Sequence, residues 1–596
     1  MERRLKVKKR TATKFSSHPL MKLFLGSLLL LLIAFRFSLS DAWSLRRLSQ
    51  RSPSKPTSQN LDYDIIIIGA GASGMFASGT TSMLGSKTLL LDLSNNNTNS
   101  NSNNTNNVGG DCTNYACVPS KAVRSEARMK KDFLSAQQHA ALTVSKVKIR
   151  ESPSAIVERN PNLDLMLISE CEFVSPDQIQ VTFPCEFFSS VRSSLPKNST
   201  TITLSSKKFL IATGASPIVP ESIRIQASEY NLPVFTYRTV YQPTSDNSLW
   251  NLLAKKENSN IVIAGGGATA LEIGQSLARL GKGKLKISMV APDVLKDDKD
   301  ISLRNAAIQI LEFEGIELHL NKYLRDVLPD KSIRLSDGTI LPPPDALIMC
   351  IGRNPNVQTL QLEKANVAYD DKTGILVKNS LRSKTNRRVF ACGDCCSAVT
   401  GKHRTATQAA WTGYHAASNT IIPYLLRVGS KSFHRTVPRV IYTDPELVSV
   451  GLSQEDCERI YGLDGFDSIY VPENNTDRAD MEYQERLTNG FVEIRATKIY
   501  GKILGFTGCG PSASELANEM SLAIVNGLTV RDIAKSLHSY PSHGYLMYRA
   551  ALALTMSSPF GQLEALGPVG GIIANVGRFV SSVVSTMKKA KKSNRR

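Results

Sequence analysis

The run Asp64-Ile65-Ile66-Ile67-Ile68 passes without a break into Gly69-Ala70-Gly71-Ala72-Ser73-Gly74, and a helical stretch follows to Leu84. An uninterrupted apolar run of this length reads as a parallel strand buried on both faces. Glycines at G-x-G-x-x-G spacing supply the tight turn, the close approach to a pyrophosphate and the helix–strand contact, so Gly69, Gly71 and Gly74 read as a dinucleotide site. The next strand, Lys87 to Leu91, ends at Asp92, an acid about 20 residues on that suits a ribose hydroxyl. The same parts recur downstream. Ile261 to Ala264 is a strand, Gly265-Gly266-Gly267-Ala268-Thr269-Ala270 the turn and Leu271 to Leu280 the helix. Gly265 and Gly267 keep the first two glycines, and Ala270 still permits close helix–strand packing. Its next strand, Lys286 to Val290, runs into Ala291-Pro292, so neither an acid for the 2′-hydroxyl of NADH nor an Arg for a 2′-phosphate stands there. Lys284 and Lys296 lie nearby. The missing acid favours NADPH, with NADH as the alternative.

Between the two units stands Gly109-Gly110-Asp111-Cys112-Thr113-Asn114-Tyr115-Ala116-Cys117-Val118-Pro119-Ser120-Lys121. Positions i and i+5 are not ideal helix neighbours. A distorted first turn can still bring two sulfurs within bonding reach, and Gly110 lets the backbone pass close to a flat cofactor. A helix N-terminus also lowers a thiol pKa. The motif therefore reads as a redox-active pair. The vicinal Cys395-Cys396 bonds only through a strained ring and is read as structural. Cys171, Cys185, Cys350, Cys392, Cys457 and Cys509 are read as small hydrophobes.

The 596 residues allow several domains, and ten cysteines are too few and too scattered for a disulfide scaffold. The net charge of +20 is a property of the ends. Residues 1–60 hold 13 Lys/Arg against 2 Asp/Glu, and residues 561–596 hold 7 against 1, which leaves only +3 between them. No nucleic-acid partner follows from that distribution. A basic stretch precedes the apolar run Leu23 to Phe35, which rises about 20 Å, short of a hydrocarbon core of about 30 Å. That reads as a signal-peptide core with Ser40-Asp41-Ala42 as the cleavage site. Left uncleaved and continued to Trp43, it would anchor the chain to a membrane. Residues 43–60 are Ser- and Arg-rich, so the whole resembles a bipartite plastid presequence, with the secretory pathway as the alternative. Residues 94–107, nearly all Asn, Ser and Thr, read as a low-complexity insert.

Further motifs follow in order. Lys208 to Ile211 is an apolar strand leading into Thr213-Gly214. Asp345 to Asn356 contains Gly352-Arg353-Asn354-Pro355-Asn356, and Val389-Phe390-Ala391-Cys392-Gly393-Asp394 comes next. Pro438 to Gly451 includes Tyr442-Thr443-Asp444-Pro445-Glu446. From about Tyr63 to Ser558 the chain resembles the class I pyridine nucleotide–disulfide oxidoreductases, the group of glutathione reductase, dihydrolipoamide dehydrogenase and mercuric reductase. The resemblance implies an α/β fold of two Rossmann-like dinucleotide-binding domains plus a C-terminal α+β dimerisation domain. The division expected is a presequence at 1–60, an FAD-binding domain at 61–250 and 379–430, an NAD(P)-binding domain at 251–378, a dimerisation domain at 431–560 and a basic tail at 561–596. It implies FAD along the first fingerprint, with Gly110, Thr213, Gly214 and Asp394 in its site. NAD(P)H would bind the second unit, with Gly352 in the following turn. Cys117 would be the flavin-contacting thiolate, Cys112 the sulfur that meets the acceptor, Lys121 the lysine near flavin and Glu272 its carboxylate partner. A homodimer follows, because the C-terminal segment of one subunit completes the other's site.

One segment departs from the family pattern. Disulfide-reducing members carry His-x-His-Pro-Thr with a Glu four residues after the Pro, and the second His is the general acid/base. Here Leu537-His538-Ser539-Tyr540-Pro541-Ser542-His543-Gly544-Tyr545 puts Tyr540 at the catalytic His and Tyr545 at the Glu. A phenol with pKa near 10 shuttles protons poorly at neutral pH. The pattern is most similar to the mercuric-reductase-like branch, yet no cysteine follows Cys509, which argues against mercuric ion as substrate. The expected activity is electron transfer from NAD(P)H through FAD and a Cys112–Cys117 disulfide to a small-molecule acceptor, in cell redox homeostasis. A diaphorase-like quinone or metal reductase and a non-catalytic sensor are the rivals.

Overall fold

A computed structural model describes residues 62–593, apart from 95–106, 185–200, 243–247, 257, 397–403, 428, 430–435, 474–475 and 483–489. The expected presequence, almost all of the Asn-rich insert and Cys185 lie outside the described residues.

Strand β1 (Tyr63–Ile68) leads into helix α1 (Ala72–Met83), and β2 (Thr88–Leu93) runs parallel to β1, with Ile66 opposite Leu89. Asp92 is thus the penultimate residue of its strand. Helix α2 (Gly110–Asn114) and helix α3 (Cys117–Arg128) follow. Strand β3 (Thr201–Ile211) pairs with the other side of β1, with Phe209 opposite Ile66. Leu163–Ile168 extends the sheet beyond β2, and the late strand Val389–Ala391 joins β3 in parallel. Ile66, Ile67, Leu89, Leu90 and Phe209 are fully buried, so each large side chain at the centre contributes roughly 1.5–3 kcal/mol. That is why the strands read as unbroken apolar runs.

The second unit repeats the plan. Strand β4 (Ser259–Ala264), helix α4 (Ala268–Gly281) and strand β5 (Leu285–Ala291) stand in an all-parallel sheet with Glu317–Leu320, Ala346–Met349 and Val234–Thr236. Helix α5 (Ile301–Phe313) follows β5. The C-terminal part holds a five-stranded antiparallel sheet in the order Arg439–Ile441, Glu446–Gly451, Ile503–Gly510, Phe491–Thr497, Phe466–Pro472. Helix α6 (Gly544–Met556) packs on it.

Buried charge ties this sheet to the second unit. The inaccessible Arg495 donates to Leu452 O at 2.9 Å and to Thr507 Oγ1 at 2.6 Å, and its guanidinium lies 3.4 Å from Asp300 at the start of α5. Arg279 on α4 donates to Asp444 Oδ2 at 2.6 Å. A buried ion pair stripped of one partner typically costs 3–5 kcal/mol, so Arg495 ties the strand Phe491–Thr497 to the start of α5, and Arg279 ties the turn between the sheet's first two strands to α4.

The basic end expected as a tail is two helices instead, α7 (Pro559–Ala565) and α8 (Pro568–Ser593). The charge count obscured apolar residues recurring every three and four positions from Val569 to Val584, which is helix spacing.

Candidate active site

The cysteine motif is not one continuous helix. Gly109 has φ +89° and Gly110 φ +61°, and a Cβ on Gly110 would come within 2.7 Å of Gly71 Cα. Glycine there lets the start of α2 pass against the first dinucleotide turn. The helix stops at Tyr115, and Ala116 (φ −124°, ψ −89°) redirects the chain before α3. Asn114 Nδ2 holds the bend by donating to Asn107 O, Val108 O and Gly110 O at 2.8–3.2 Å. The break brings Cys112 and Cys117 together even though residues five apart on a straight helix diverge.

In this structure both cysteines are free thiols, and the Cys112 thiol hydrogen-bonds Cys117. That bond, opposed by burial and helped by the charge of Lys121, lowers Cys117 from 9 to about 7. Cys112 moves the other way, because it donates to Cys117 and is partly buried. Lys121 stands one turn after Cys117 on the same face of α3. Its Nζ donates to Glu272 Oε2 at 2.7 Å and lies 4.4 Å from the centre of the Tyr442 ring. Glu272 Oε1 in turn accepts the Tyr442 backbone N–H at 3.0 Å. Burial disfavours the lysine's charge, but Glu272 outweighs it and the pKa rises.

One cavity of about 1770 Å³ connects these groups to the end of the first sheet. It is lined by Gly69, Gly71, Asp92, Gly110, Cys112, Cys117, Lys121, Thr213, Gly214, Glu272 and Asp394, so the structure brings together most of the residues singled out in the sequence. Asp92 Oδ2 is inaccessible and has no partner, although backbone N–H groups of Ala70 and Leu93 reach the carboxylate. Burial pushes it up to about 6. Asp394 pairs with Arg353 at 3.2 Å, and Thr213 Oγ1 donates to Asn356 O at 2.6 Å. Burial raises Asp394 against the pull of Arg353.

Gly74 plays a packing part: a Cβ there would sit 1.8 Å from Gly69 O. In the second unit, Gly265 has φ +120° and a Cβ on it would meet Cys350 O at 2.3 Å. Gly267 caps α4 in open space, Ala270 is fully buried, and Gly352 has φ +132° just beyond the strand Ala346–Met349.

The chain matches the family model "Pyridine nucleotide-disulphide oxidoreductase" over residues 63–413 and the dimerisation-domain model of the same family over 437–550. The chain belongs to this family. It is accordingly an FAD- and NAD(P)H-dependent oxidoreductase, and the dimerisation domain supports a homodimer. Among its relatives is a dihydrolipoyl dehydrogenase of Buchnera aphidicola, 26% identical over 81% of this chain and 94% of that protein. A mercuric reductase of Acidithiobacillus ferrooxidans is also 26% identical, over 81% of each chain. The fold matches the HOCl-induced flavoprotein disulfide reductase RclA from Escherichia coli, with TM-score 0.65, 19% identity and coverage of 82% of this chain and 99% of that one. LpdA from Mycobacterium tuberculosis gives TM-score 0.67 at 21% identity, over 82% and 99%.

The residues present fit the family's flavin. The unpartnered Asp92 oxygen suits a ribose hydroxyl, and the bare glycine turn at Gly69 and Gly71 leaves room for a pyrophosphate at the N-terminus of α1. Gly74 and the second-unit residues Gly265, Gly267, Ala270 and Gly352 lie outside the cavity, and of the residues expected to be catalytic Tyr540 is the one that the protomer does not bring to it. Tyr540 is 61% exposed, its hydroxyl donates to Asp477, which raises its pKa, and its ring meets Tyr545 edge-on at 5.5 Å.

Sequence reasoning missed a polar cluster beside the cysteines. Arg238 Nε donates to Asp111 Oδ1 at 2.9 Å, and Tyr237 OH donates to Asp111 Oδ2 at 2.7 Å. No local signal marks partners more than a hundred residues apart. It also passed over Asp293, two residues beyond β5, whose carboxylate pairs with Arg304 of α5 beside the second turn. Cys392 and Cys395, three apart, were not read as a pair, and both are fully buried with Cys396. The Cys395 thiol lies 3.1 Å from Cys392 O and 3.4 Å from Ile211 O.

Proposed function

We propose that the protein passes electrons from NADPH through FAD to a Cys112–Cys117 disulfide and on to a small-molecule acceptor. The observation that carries this reading is the Cys112–Cys117 contact facing the same cavity as Lys121, Glu272 and Asp92. FAD, when bound, relays two electrons between nicotinamide and sulfur. Cys117 has the lowered pKa and the neighbouring cation, so it is the sulfur held as thiolate. Cys112 keeps its proton and is the sulfur offered to the acceptor. Lys121 holds positive charge at the thiolate, and Glu272 keeps that lysine protonated inside the cavity.

Acceptor reduction also needs a proton. Tyr540 and Tyr545 occupy the positions where disulfide-reducing relatives of the family place His and Glu, and losing a general acid/base costs typically 10²–10⁴-fold. The acceptor is therefore one that does not rely on a positioned general acid, such as a quinone, whose two protons can come from solvent, or a metal complex, with disulfides turned over slowly. A homodimer would set Tyr540 of one subunit towards the cysteines of the other. The N-terminal 60 residues support delivery to a plastid. Purified protein should oxidise NADPH with a quinone faster than with glutathione disulfide. Cys112→Ser should abolish the dithiol-dependent part and spare any direct flavin route. A protein that holds FAD yet consumes NADPH with neither class of acceptor would refute the enzymatic reading.

A further inference from the structure

Helix α8 lies beyond the matched dimerisation domain and is the longest helix among the described residues. Its two faces differ. The inner face packs on α7: Ala574 is inaccessible, a Cβ on Gly570 would come within 1.9 Å of Leu563 O, and one on Gly577 within 2.6 Å of the Phe560 ring. Arg578, nearly inaccessible, donates to Glu564 Oε1 at 2.6 Å and lies over the Phe560 ring. The helix is thus held to the protein by small residues and one buried ion pair.

The outer face is apolar and bare. Val569, Ile572, Ile573, Val576, Phe579 and Val580 are each more than half exposed. Val583 and Val584 continue the row. At 3.6 residues per turn these positions fall within an arc of about 140° and extend about 22 Å along the helix. Isolated exposed apolar residues need no explanation, but a continuous stripe of this size does.

Charge identifies the occupant. Arg578 and Glu564 cancel each other, so the whole +6 of residues 561–596 comes from Lys588, Lys589, Lys591, Lys592, Arg595 and Arg596, beginning one turn after Val584. An apolar stripe running directly into a cationic end fits a surface that is apolar below and anionic above. Among the described residues no helix is long and apolar enough to cross a membrane, and the mid-helix Arg578 is engaged on the inner face. We propose that α8 lies flat on an anionic lipid bilayer, its apolar face in the acyl boundary and its basic end on the lipid phosphates.

The test uses the full-length, FAD-loaded protein with phosphatidylcholine vesicles containing either no anionic lipid or roughly one quarter phosphatidylserine. Wild type should partition about tenfold or more in favour of the anionic vesicles, and high salt should reverse much of that. The pair Val576→Asp and Phe579→Asp should lose most of the binding while flavin content and NADPH oxidation stay unchanged. Replacing the four lysines 588, 589, 591 and 592 by Gln should remove the salt-sensitive part. Phe579→Trp should shift its emission to the blue on anionic vesicles, which reports on α8 whatever residues 23–35 do. Equal binding to both vesicles, Asp variants that bind like wild type, or an unshifted Trp would each overturn the proposal. So would an Asp pair that instead splits a larger assembly, because the face would then join two copies of the chain.

Discussion

Cys117 sits where three favourable terms meet: the N-terminus of α3, the thiol of Cys112, and Lys121 one turn on. The Cys112 bond is the largest influence, and with the charge of Lys121 it brings the thiol from 9 to about 7 against the opposing effect of burial. A folded-state pKa below the unfolded one stabilises the fold fully above about pH 9, and that contribution disappears as pH falls through about 7. The thiolate-to-flavin charge-transfer band of the reduced protein should therefore rise with a midpoint near pH 7. Lys121→Met should move that midpoint up by about one unit, because a neighbouring cation is lost. Recording the band against pH in the two proteins checks this, and a midpoint that does not move would remove Lys121 from the account. Residues of this kind were legible in the sequence because Gly110, Cys112, Cys117 and Lys121 share one contiguous motif and Asp92 ends a readable strand. Asp111 lies in that same motif, yet its ties to Tyr237 and Arg238 were not, since tertiary structure alone brings them together.

The two dinucleotide units were legible as elements for the same reason that they fold: strands buried on both faces are apolar at every position, and glycines mark their exits. What lay beyond pattern reading was geometry inside an element. The bend at Tyr115-Ala116 brings two cysteines together where a straight helix would part them, and α8 was hidden behind its own charge. The second unit yields a test of its own. Gly265→Ala would force a Cβ against Cys350 O at a backbone angle that alanine rarely adopts, at a cost of about 1–3 kcal/mol. It should leave FAD in place on the first sheet and slow flavin reduction by NADPH at least about tenfold, as measured by stopped-flow absorbance. Coenzyme choice belongs to the same unit. Ala291 offers no acid to a ribose hydroxyl, and the charge of Asp293 is already answered by Arg304. NADPH should be used at least as well as NADH. A preference for NADH of about tenfold in kcat/KM, or 1.4 kcal/mol, would contradict that.

On the scale of the whole molecule, the C-terminal sheet reaches back into the second unit through Arg495, Arg279 and Tyr442, so the carboxylate–lysine pair depends on three parts of the chain. The segment around Tyr540 stays outside the protomer's own cavity, which is what a site completed by a second subunit requires. Changing Tyr540→His together with Tyr545→Glu should raise disulfide turnover, by at most about 10²-fold, if a lost proton shuttle is what limits it; if Tyr540 instead serves the native acceptor, the same change should lower turnover with that acceptor. Steady-state rates with a disulfide and a quinone, side by side, check both directions. The electron path itself is tested most directly by anaerobic titration with NADPH. In wild type the first two-electron equivalent should produce the long-wavelength charge-transfer band while the flavin absorbance remains largely that of the oxidised form. In Cys117→Ser the same equivalent should bleach the flavin without any band. If wild-type flavin bleaches first and no band develops, electrons do not reach the Cys112–Cys117 pair, and the account fails.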